Sequence, residues 1–254
     1  MIHNIIEIAN LAGKAILEIY QKDFSVEYKD DKSPLTEADK VSNEIIVDAL
    51  KELTPEIPII SEENKLIEYE VRKSWKKCWL VDPIDGTKEF IKKNGEFTIN
   101  IALIENGNPI LSVVGVPAQN IIFYAEHGKG AFKIENNITT KLMATTVSED
   151  TIRIVGSRSH QTPELIAFVE EQKEKYPNVE FVAAGSSLKF CLIADGKADI
   201  YPRLGPTMEW DTAAGHLVAT EAGTEVVIWN TKSKLTYNKE NLLNPFFIVK
   251  KNRN

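Results

Sequence analysis

One stretch constrains this chain more than any other: Cys78-Trp79-Leu80-Val81-Asp82-Pro83-Ile84-Asp85-Gly86-Thr87-Lys88-Glu89-Phe90. Its apolar run reads as a buried strand that breaks off at two acids three residues apart. Pro83 lacks a backbone donor, so a regular ladder is expected to stop there. Gly86 permits a tight turn, after which Thr87 and its neighbours can open a short helix. Both carboxylates then leave one strand end beside helix-start amides. Carboxylates hold hard divalent cations, and helix-start N–H groups hold phosphate. Phosphate-ester hydrolysis needs both. Asp-Pro and Asp-Gly are also ordinary turn dipeptides, so the segment alone reads equally as a simple strand-to-helix turn. The rest of the chain decides.

With 254 residues, 43% of them hydrophobic, the chain can fill one large or two small domains. Its net charge of −7 argues against a nonspecific nucleic-acid-binding surface, but leaves room for a local basic pocket that takes a small anion. Cys78 and Cys191 sit in separate apolar runs without C-x-x-C spacing, which reads as buried thiols in a reducing cytosol. His3, His127, His160 and His216 show no metal-binding spacing. No apolar run approaches a membrane span, and the first residues lack a signal-type core. A soluble cytoplasmic protein is expected. Whether it also associates peripherally with the inner membrane, and whether it is a monomer or a homodimer, stays open at this level.

Ile2, Ile5, Ile6, Ala9, Ala12 and Ile16 recur at helical spacing. A second helix is expected from Thr36 to about Leu53, where Thr36-Glu37-Ala38-Asp39 fits a capping box. A short apolar run at 57–60 delivers Ser61-Glu62-Glu63, and the charged residues 64–76 read as a mobile surface segment. Residues 97–104 and 109–116 flank Asn106-Gly107-Asn108, and 121–125 and 130–134 flank His127-Gly128-Lys129, giving two hairpins of an antiparallel sheet. Residues 136–150 are polar and weakly patterned. The boundary is placed there, with an α+β domain over 1–145 holding most acidic residues of interest. Strands and helices alternate over 146–254, a smaller α/β domain with Asp211 and the substrate-binding elements.

Glu62, Asp82, Asp85 and Asp211 each stand where a strand ends or a helix begins, the places where α/β layers gather ligands. Asp211 alone reads first as a helix cap. Gly215, inside the helix after it, costs roughly 1 kcal/mol relative to Ala, which points to a close approach. Leu80-Val81-Asp82-Pro83-Ile84-Asp85-Gly86-Thr87 resembles the D-P-x-D-G-T motif of the inositol monophosphatase-like, lithium-sensitive phosphatase superfamily. Trp210-Asp211-Thr212-Ala213-Ala214-Gly215 resembles its W-D-x-A-A-G motif. Ser61-Glu62-Glu63 and Leu35-Thr36-Glu37-Ala38-Asp39 fall in the order of its other acidic elements. Lys88-Glu89-Phe90, Gly185-Ser186-Ser187-Leu188-Lys189-Phe190-Cys191 and Tyr201-Pro202-Arg203-Leu204-Gly205-Pro206-Thr207 are similar to the 3′(2′),5′-bisphosphate nucleotidase branch.

That resemblance implies an α/β fold, a layered α-β-α-β-α sandwich of the inositol monophosphatase and fructose-1,6-bisphosphatase type. It implies Glu62, Asp82 and the Ile84 carbonyl at one metal ion, and Asp82, Asp85 and Asp211 at a second, with a weaker third near Glu62. The implied catalytic set is Asp39, Thr87 and Glu62, with Thr87 and Asp39 orienting and activating the attacking water. If the carboxylates converge, physics asks for cations independently. Two like charges 4 Å apart cost on the order of 4 kcal/mol at an effective dielectric of 20. Oxygen ligands point to Mg²⁺, with Mn²⁺ as the alternative, rather than zinc. Substrate contacts are expected from Gly86 and Thr87, from Ser186 and Lys189 near a helix start, and from Asp211. Arg203 can grip phosphate bidentately. Ser157 and His160 follow a strand end and can join the pocket. Lys189 reads equally as a solvated lysine, and His160 as an exposed turn residue.

The implied reaction is Mg²⁺-dependent hydrolysis of adenosine 3′,5′-bisphosphate to AMP and phosphate by metal-activated water, a step tied to sulfur metabolism. The alternatives are an inositol monophosphatase or broad sugar-phosphatase, and a regulatory protein that binds a macromolecular partner on the same fold. On the resemblance alone, Li⁺ is expected to inhibit phosphate release where Na⁺ does not. A parallel titration of the two ions checks this, and equal harmlessness counts against a lithium-sensitive member.

Overall fold

The computed structural model describes residues 1–22, 26–28, 34–144, 147–157 and 162–251. The elements in chain order are α1 (Ile2–Tyr20), β1 (Val26–Tyr28), β2 (Pro34–Thr36), α2 (Glu37–Leu53), β3 (Ile59–Ser61), α3 (Tyr69–Arg72), β4 (Lys77–Asp85), α4 (Thr87–Ile91), β5 (Thr98–Glu105), β6 (Asn108–Val116), β7 (Ile121–Glu126), β8 (Gly130–Glu135) and β9 (Ile138–Leu142). After these come β10 (Thr151–Gly156), α5 (Pro163–Lys175), β11 (Asn178–Ala183), α6 (Leu188–Ala194), β12 (Ile200–Arg203), α7 (Glu209–Glu221), β13 (Thr224–Ile228) and β14 (Phe247–Lys251).

Two sheets carry the architecture. A seven-stranded sheet runs β3-β4-β5-β6-β7-β8-β9, antiparallel apart from the β3–β4 edge. A five-stranded sheet runs β11-β10-β12-β14-β13. Strands such as β5 are buried on both faces. Ile99, Ile101 and Leu103 pack with α1 and α2, while Ala102 and Ile104 on the opposite face join α6 and α7. The far face of the small sheet meets α5 through Phe168, Ile152 and Ile154. The result is the expected α-β-α-β-α sandwich. Sheet membership changes between Leu142 and Thr151, and the expected boundary at 145/146 lies outside the described residues. The α7 helix packs back on the large sheet, so one buried cluster contains residues of both halves.

Four expectations need correction. Strand β4 does not stop at Asp82; it bulges through Pro83 and pairs again at Asp85↔Thr98, because a bulge tolerates the missing proline donor. Residues 64–76, expected as a mobile surface segment, hold the short helix α3, whose Arg72 is 4% exposed. Residues 136–150 contain strand β9, at an exposed sheet edge where four of its five side chains face solvent and no alternation betrays it. Asp211 is the third residue of α7, not its cap; the helix begins at Glu209.

The close approach suspected at Gly215 is real. A Cβ there would lie 2.7 Å from the Phe190 ring, so α6 and α7 touch at this glycine. Phe190 in turn stacks on Phe247 and meets Tyr201 edge-on. Gly215→Ala is expected to destabilise the protein by about 1–3 kcal/mol through overpacking. Gly205→Ala, where added carbon meets nothing within 4 Å, serves as the neutral control. Urea unfolding of the two variants tests the difference.

Candidate active site

Three carboxylates from separate chain segments converge. Oxygens of Glu62, Asp82 and Asp211 all lie within 4.8 Å of one another. Adjacent strands bring two of them together: Ser61 pairs with Val81 in the parallel β3–β4 edge, and the Glu62 N–H donates to the Val81 carbonyl at 3.1 Å. The third comes from the first turn of α7, where Met208 N–H donates to Asp211 Oδ2 at 2.8 Å. Asp82 is buried at the bulge, where its Oδ1 accepts from Ile84 N–H at 3.1 Å.

Asp85 stands at the end of the same bulge but turns toward the second half of the chain, where Ser187 N–H donates to its Oδ2 at 2.5 Å. Gly86 then takes φ +92°, a left-handed conformation that swings the chain into α4. Thr87 is the first residue of α4, and its hydroxyl donates to Asp39 Oδ1 at 3.3 Å, with the Ile84 carbonyl at 3.5 Å. The other Asp39 oxygen, Oδ2, accepts from Thr36 N–H at 2.7 Å and Thr36 Oγ1 at 2.6 Å. Asp39 is thus both the third residue of α2, closing the capping box by accepting from the Thr36 cap, and a partner of Thr87, one oxygen for each.

Beside the carboxylates lies a cavity of about 140 Å³ lined by Asp85, Ser157, Ser186, Lys189, Arg203 and Asp211 among others. Two larger cavities, of about 740 and 960 Å³, contain none of the converging carboxylates, so chemistry rather than size locates the site. Lys189, the second residue of α6, is 4% exposed. Its ammonium donates to the Ala184 carbonyl at 3.4 Å and sits 5.7 Å from the Tyr201 ring centre. Arg203 ends β12; its Nη2 donates to the Pro206 carbonyl at 2.7 Å, while its buried Nε finds no hydrogen-bond partner. Ser186 and Ser187 precede α6. Ser186 Oγ donates to the Glu96 carbonyl at 2.8 Å, and Ser187 gives its N–H to Asp85. The Ser187 amide at this helix start is therefore already occupied. Ser157 lines the cavity, and His160 lies outside the described residues.

Burial pushes the Asp82 carboxyl well above the usual range, and Glu62, Asp85 and Asp211 push it further. Burial likewise raises Asp211, with Asp85 adding to it. Asp85 is pushed up to about 6 by burial, held from rising further by Lys189 and the Ser187 N–H. Lys189 is pulled down to about 8 by burial, with Asp85 opposing. A divalent cation fits this donor set. It is all oxygen, the ligand atoms are close enough to share an ion, and positive charge removes the cost of crowding them. Thr98 and Asn100 complete the support: Ser187 Oγ donates to Asn100 Oδ1 at 2.6 Å and lies 2.8 Å from Thr98 Oγ1. Sequence reasoning missed both, although polar residues two apart in an otherwise apolar run were the available signal.

The matching family model, the inositol monophosphatase family, spans residues 1–250, and the chain belongs to that family. The chain is 44% identical over 251 residues to the 3′(2′),5′-bisphosphate nucleotidase CysQ of Salmonella typhimurium, covering 98% of this chain and 99% of the other. It is 45% identical to the CysQ of Escherichia coli K12 over the same share of both chains. Among solved structures it resembles CysQ from Bacteroides thetaiotaomicron, with TM-score 0.89 and 44% identity over 99% of this chain and 97% of the other.

The carboxyl shifts carry a sign. A folded-state pKa raised above the unfolded value means the cation-free fold is favoured at low pH and loses that stability as pH rises through the folded pKa. For Asp85 this begins near the unfolded value of roughly 4 and passes through about 6. The Mg²⁺-induced rise in melting temperature over EDTA-treated protein should therefore grow from pH 5 to pH 7.5, as carboxylates ionise. Subtracting the two melts cancels groups remote from the site, such as His216. A rise independent of pH, or none at all, would contradict a carboxylate cation site.

Proposed function

We propose that this chain is a divalent-cation-dependent 3′(2′),5′-bisphosphate nucleotidase that removes the 3′-phosphate of adenosine 3′,5′-bisphosphate, leaving AMP. One observation carries the reading: the Glu62, Asp82 and Asp211 oxygens, within 4.8 Å of one another, adjoin a cavity that holds the deeply buried Lys189 ammonium and Arg203. A monophosphate ester gives two cations beyond the carboxylates little to do; a second phosphate uses them. The nucleotidase names of the full-length relatives support the same substrate class.

Glu62, Asp82 and Asp211, with Asp85 and the Ile84 carbonyl, would hold two or three Mg²⁺, or Mn²⁺ in their place. When bound, the cations supply charge that neutralises phosphoryl oxygens and lower the pKa of water at the site. The protein's own groups do the rest. Thr87 Oγ1, donating to Asp39 Oδ1, keeps lone pairs with which to orient the attacking water. The proton of that water passes through the hydroxyl to Asp39, and the departing 3′ oxygen recovers one from solvent. Lys189 and Arg203 grip the non-reacting phosphate and so hold the reacting one in line. Ser157 and Ser186, which line the cavity, border the nucleotide. In this reading residues 1–145 supply most cation ligands, and 146–254 supply the substrate contacts and Asp211. A cytoplasmic monomer or homodimer goes with it. No helix among the described residues is long and apolar enough to cross a membrane.

Lys189→Ala or Arg203→Ala should each lose a charge-assisted contact of roughly 1.5–3 kcal/mol, about 10- to 150-fold in kcat/KM, on the bisphosphate. A monophosphate substrate should lose far less. Asp82→Asn should abolish turnover of both while the fold persists. Steady-state kinetics of the three variants on adenosine 3′,5′-bisphosphate and inositol 1-phosphate decide the matter. Equal losses from the Lys189 and Arg203 changes on both substrates would favour an inositol monophosphatase or a broad sugar-phosphatase.

A further inference from the structure

The sheet explains why Glu62 lies beside Asp82, but not what holds Asp211 against them, since α7 arrives from a distant part of the chain. Its first turn is held in a cradle formed by residues 238–244. The Glu209 carboxylate, fully buried, accepts from Asn238 N–H at 2.5 Å, Lys239 N–H at 3.0 Å and the Lys239 ammonium at 2.5 Å. Glu209 N–H donates to the Leu242 carbonyl at 2.9 Å. Asn244 Nδ2 donates to the Met208 carbonyl at 2.8 Å and to Thr212 Oγ1 at 3.0 Å.

The other side of the cradle is held by Arg72, ten residues beyond Glu62. Its guanidinium donates to the Lys239 carbonyl at 2.5 Å, the Glu240 carbonyl at 2.8 Å, Asn238 Oδ1 at 3.0 Å and the Ile67 carbonyl at 3.0 Å. Asn238 Nδ2 returns a bond to the Arg72 carbonyl at 2.9 Å. Burying a guanidinium on neutral oxygens is expensive, so the arrangement needs all of its bonds satisfied. From the Glu62 segment to Asp211 the path runs Arg72, Asn238, Glu209, with hydrogen bonds at each joint.

We propose that Arg72 is a positioning residue that sets Asp211 against Glu62 and Asp82, and so sets the affinity of the cation site. The inference rests on reading those three acids as a cation site. Its physical basis is that residues behind metal ligands fix the geometry of the ligands, and their loss typically weakens metal binding about 10- to 100-fold. Lysine cannot replace Arg72, because its ammonium is a single point of donors and cannot span the separated oxygens that a planar fork reaches.

The test is calorimetric titration of Mn²⁺ into cation-free full-length protein, with thermal melts alongside. Wild type, Arg72→Lys and Asn238→Ala are compared with Arg153→Lys. Arg153 is the control: its guanidinium makes a part-buried, bidentate ion pair with Asp199 on the small sheet. The expected result is a dissociation constant raised about tenfold or more in Arg72→Lys and Asn238→Ala, unchanged in Arg153→Lys, with all three destabilised. Excess Mg²⁺ should then recover most of the lost kcat/KM in the first two. If Arg72→Lys does not fold, Asn238→Ala carries the comparison, since it removes the Asn238 side-chain bonds of the same path and leaves the guanidinium in place. Destabilised variants that bind Mn²⁺ as tightly as wild type would overturn the positioning role while leaving the cation site standing. Wild type that binds no Mn²⁺ would overturn the cation site itself, and the positioning role with it.

Discussion

Carboxylates that should repel one another are held together, and most of the fold is arranged to keep them so. At contact distances each like-charged pair costs on the order of 4 kcal/mol at an effective dielectric of 20. Burial makes the charge costlier still, as the upward shift of the Asp82 and Asp211 carboxyls records. A chain of ordinary marginal stability cannot carry that cost unassisted, so either protons or cations must be present. Oxygen ligands within 4.8 Å of one another suit a shared divalent ion.

The two sheets and the helices between them look different from that standpoint. The β3–β4 edge delivers Glu62 and Asp82 together, and the bulge at Pro83 lets one strand place Asp82 on the triad and Asp85 toward the cavity that Lys189 and Arg203 line. The α7 helix supplies Asp211 because Gly215 lets it lie directly on Phe190, and because Glu209 seats its first turn. Asp85 then links the two regions, accepting from Ser187 N–H on one side of a cavity whose floor includes Lys189. The acid and the lysine answer each other: the ammonium restrains the rise of the Asp85 pKa, and the carboxylate restrains the fall of the lysine's.

Much of this was legible in the sequence where local chemistry and long-range role coincide. The hairpin turn at Asn106-Gly107 is read from its residues because both must take positive φ, as they do. The D-P-x-D-G-T stretch is read because Pro83 and Gly86 announce an irregular strand end, although the bulge, rather than a break, depends on pairing with β5. Strand β9 was missed because an edge strand with both faces wet has no hydrophobic period. Arg72 was missed for a different reason. In a run as charged as 64–76 nothing local distinguishes a buried arginine from a solvated one, and its partners at 238–240 become neighbours only in the folded chain. Asp39 shows the opposite limit: capping and partnering Thr87 were competing explanations in sequence, and in space they use different oxygens.

The most direct measurement is phosphate release from adenosine 3′,5′-bisphosphate by the wild-type chain as Mg²⁺ is restored to EDTA-treated protein, with the nucleotide product identified. The expected result is no release without cation, and with it one phosphate per nucleotide and AMP bearing its 5′-phosphate. Release that ignores the cation, a product that has lost the 5′-phosphate instead, or no turnover at saturating Mg²⁺ would contradict a carboxylate-held cation acting on the 3′-ester beside a phosphate-gripping cavity.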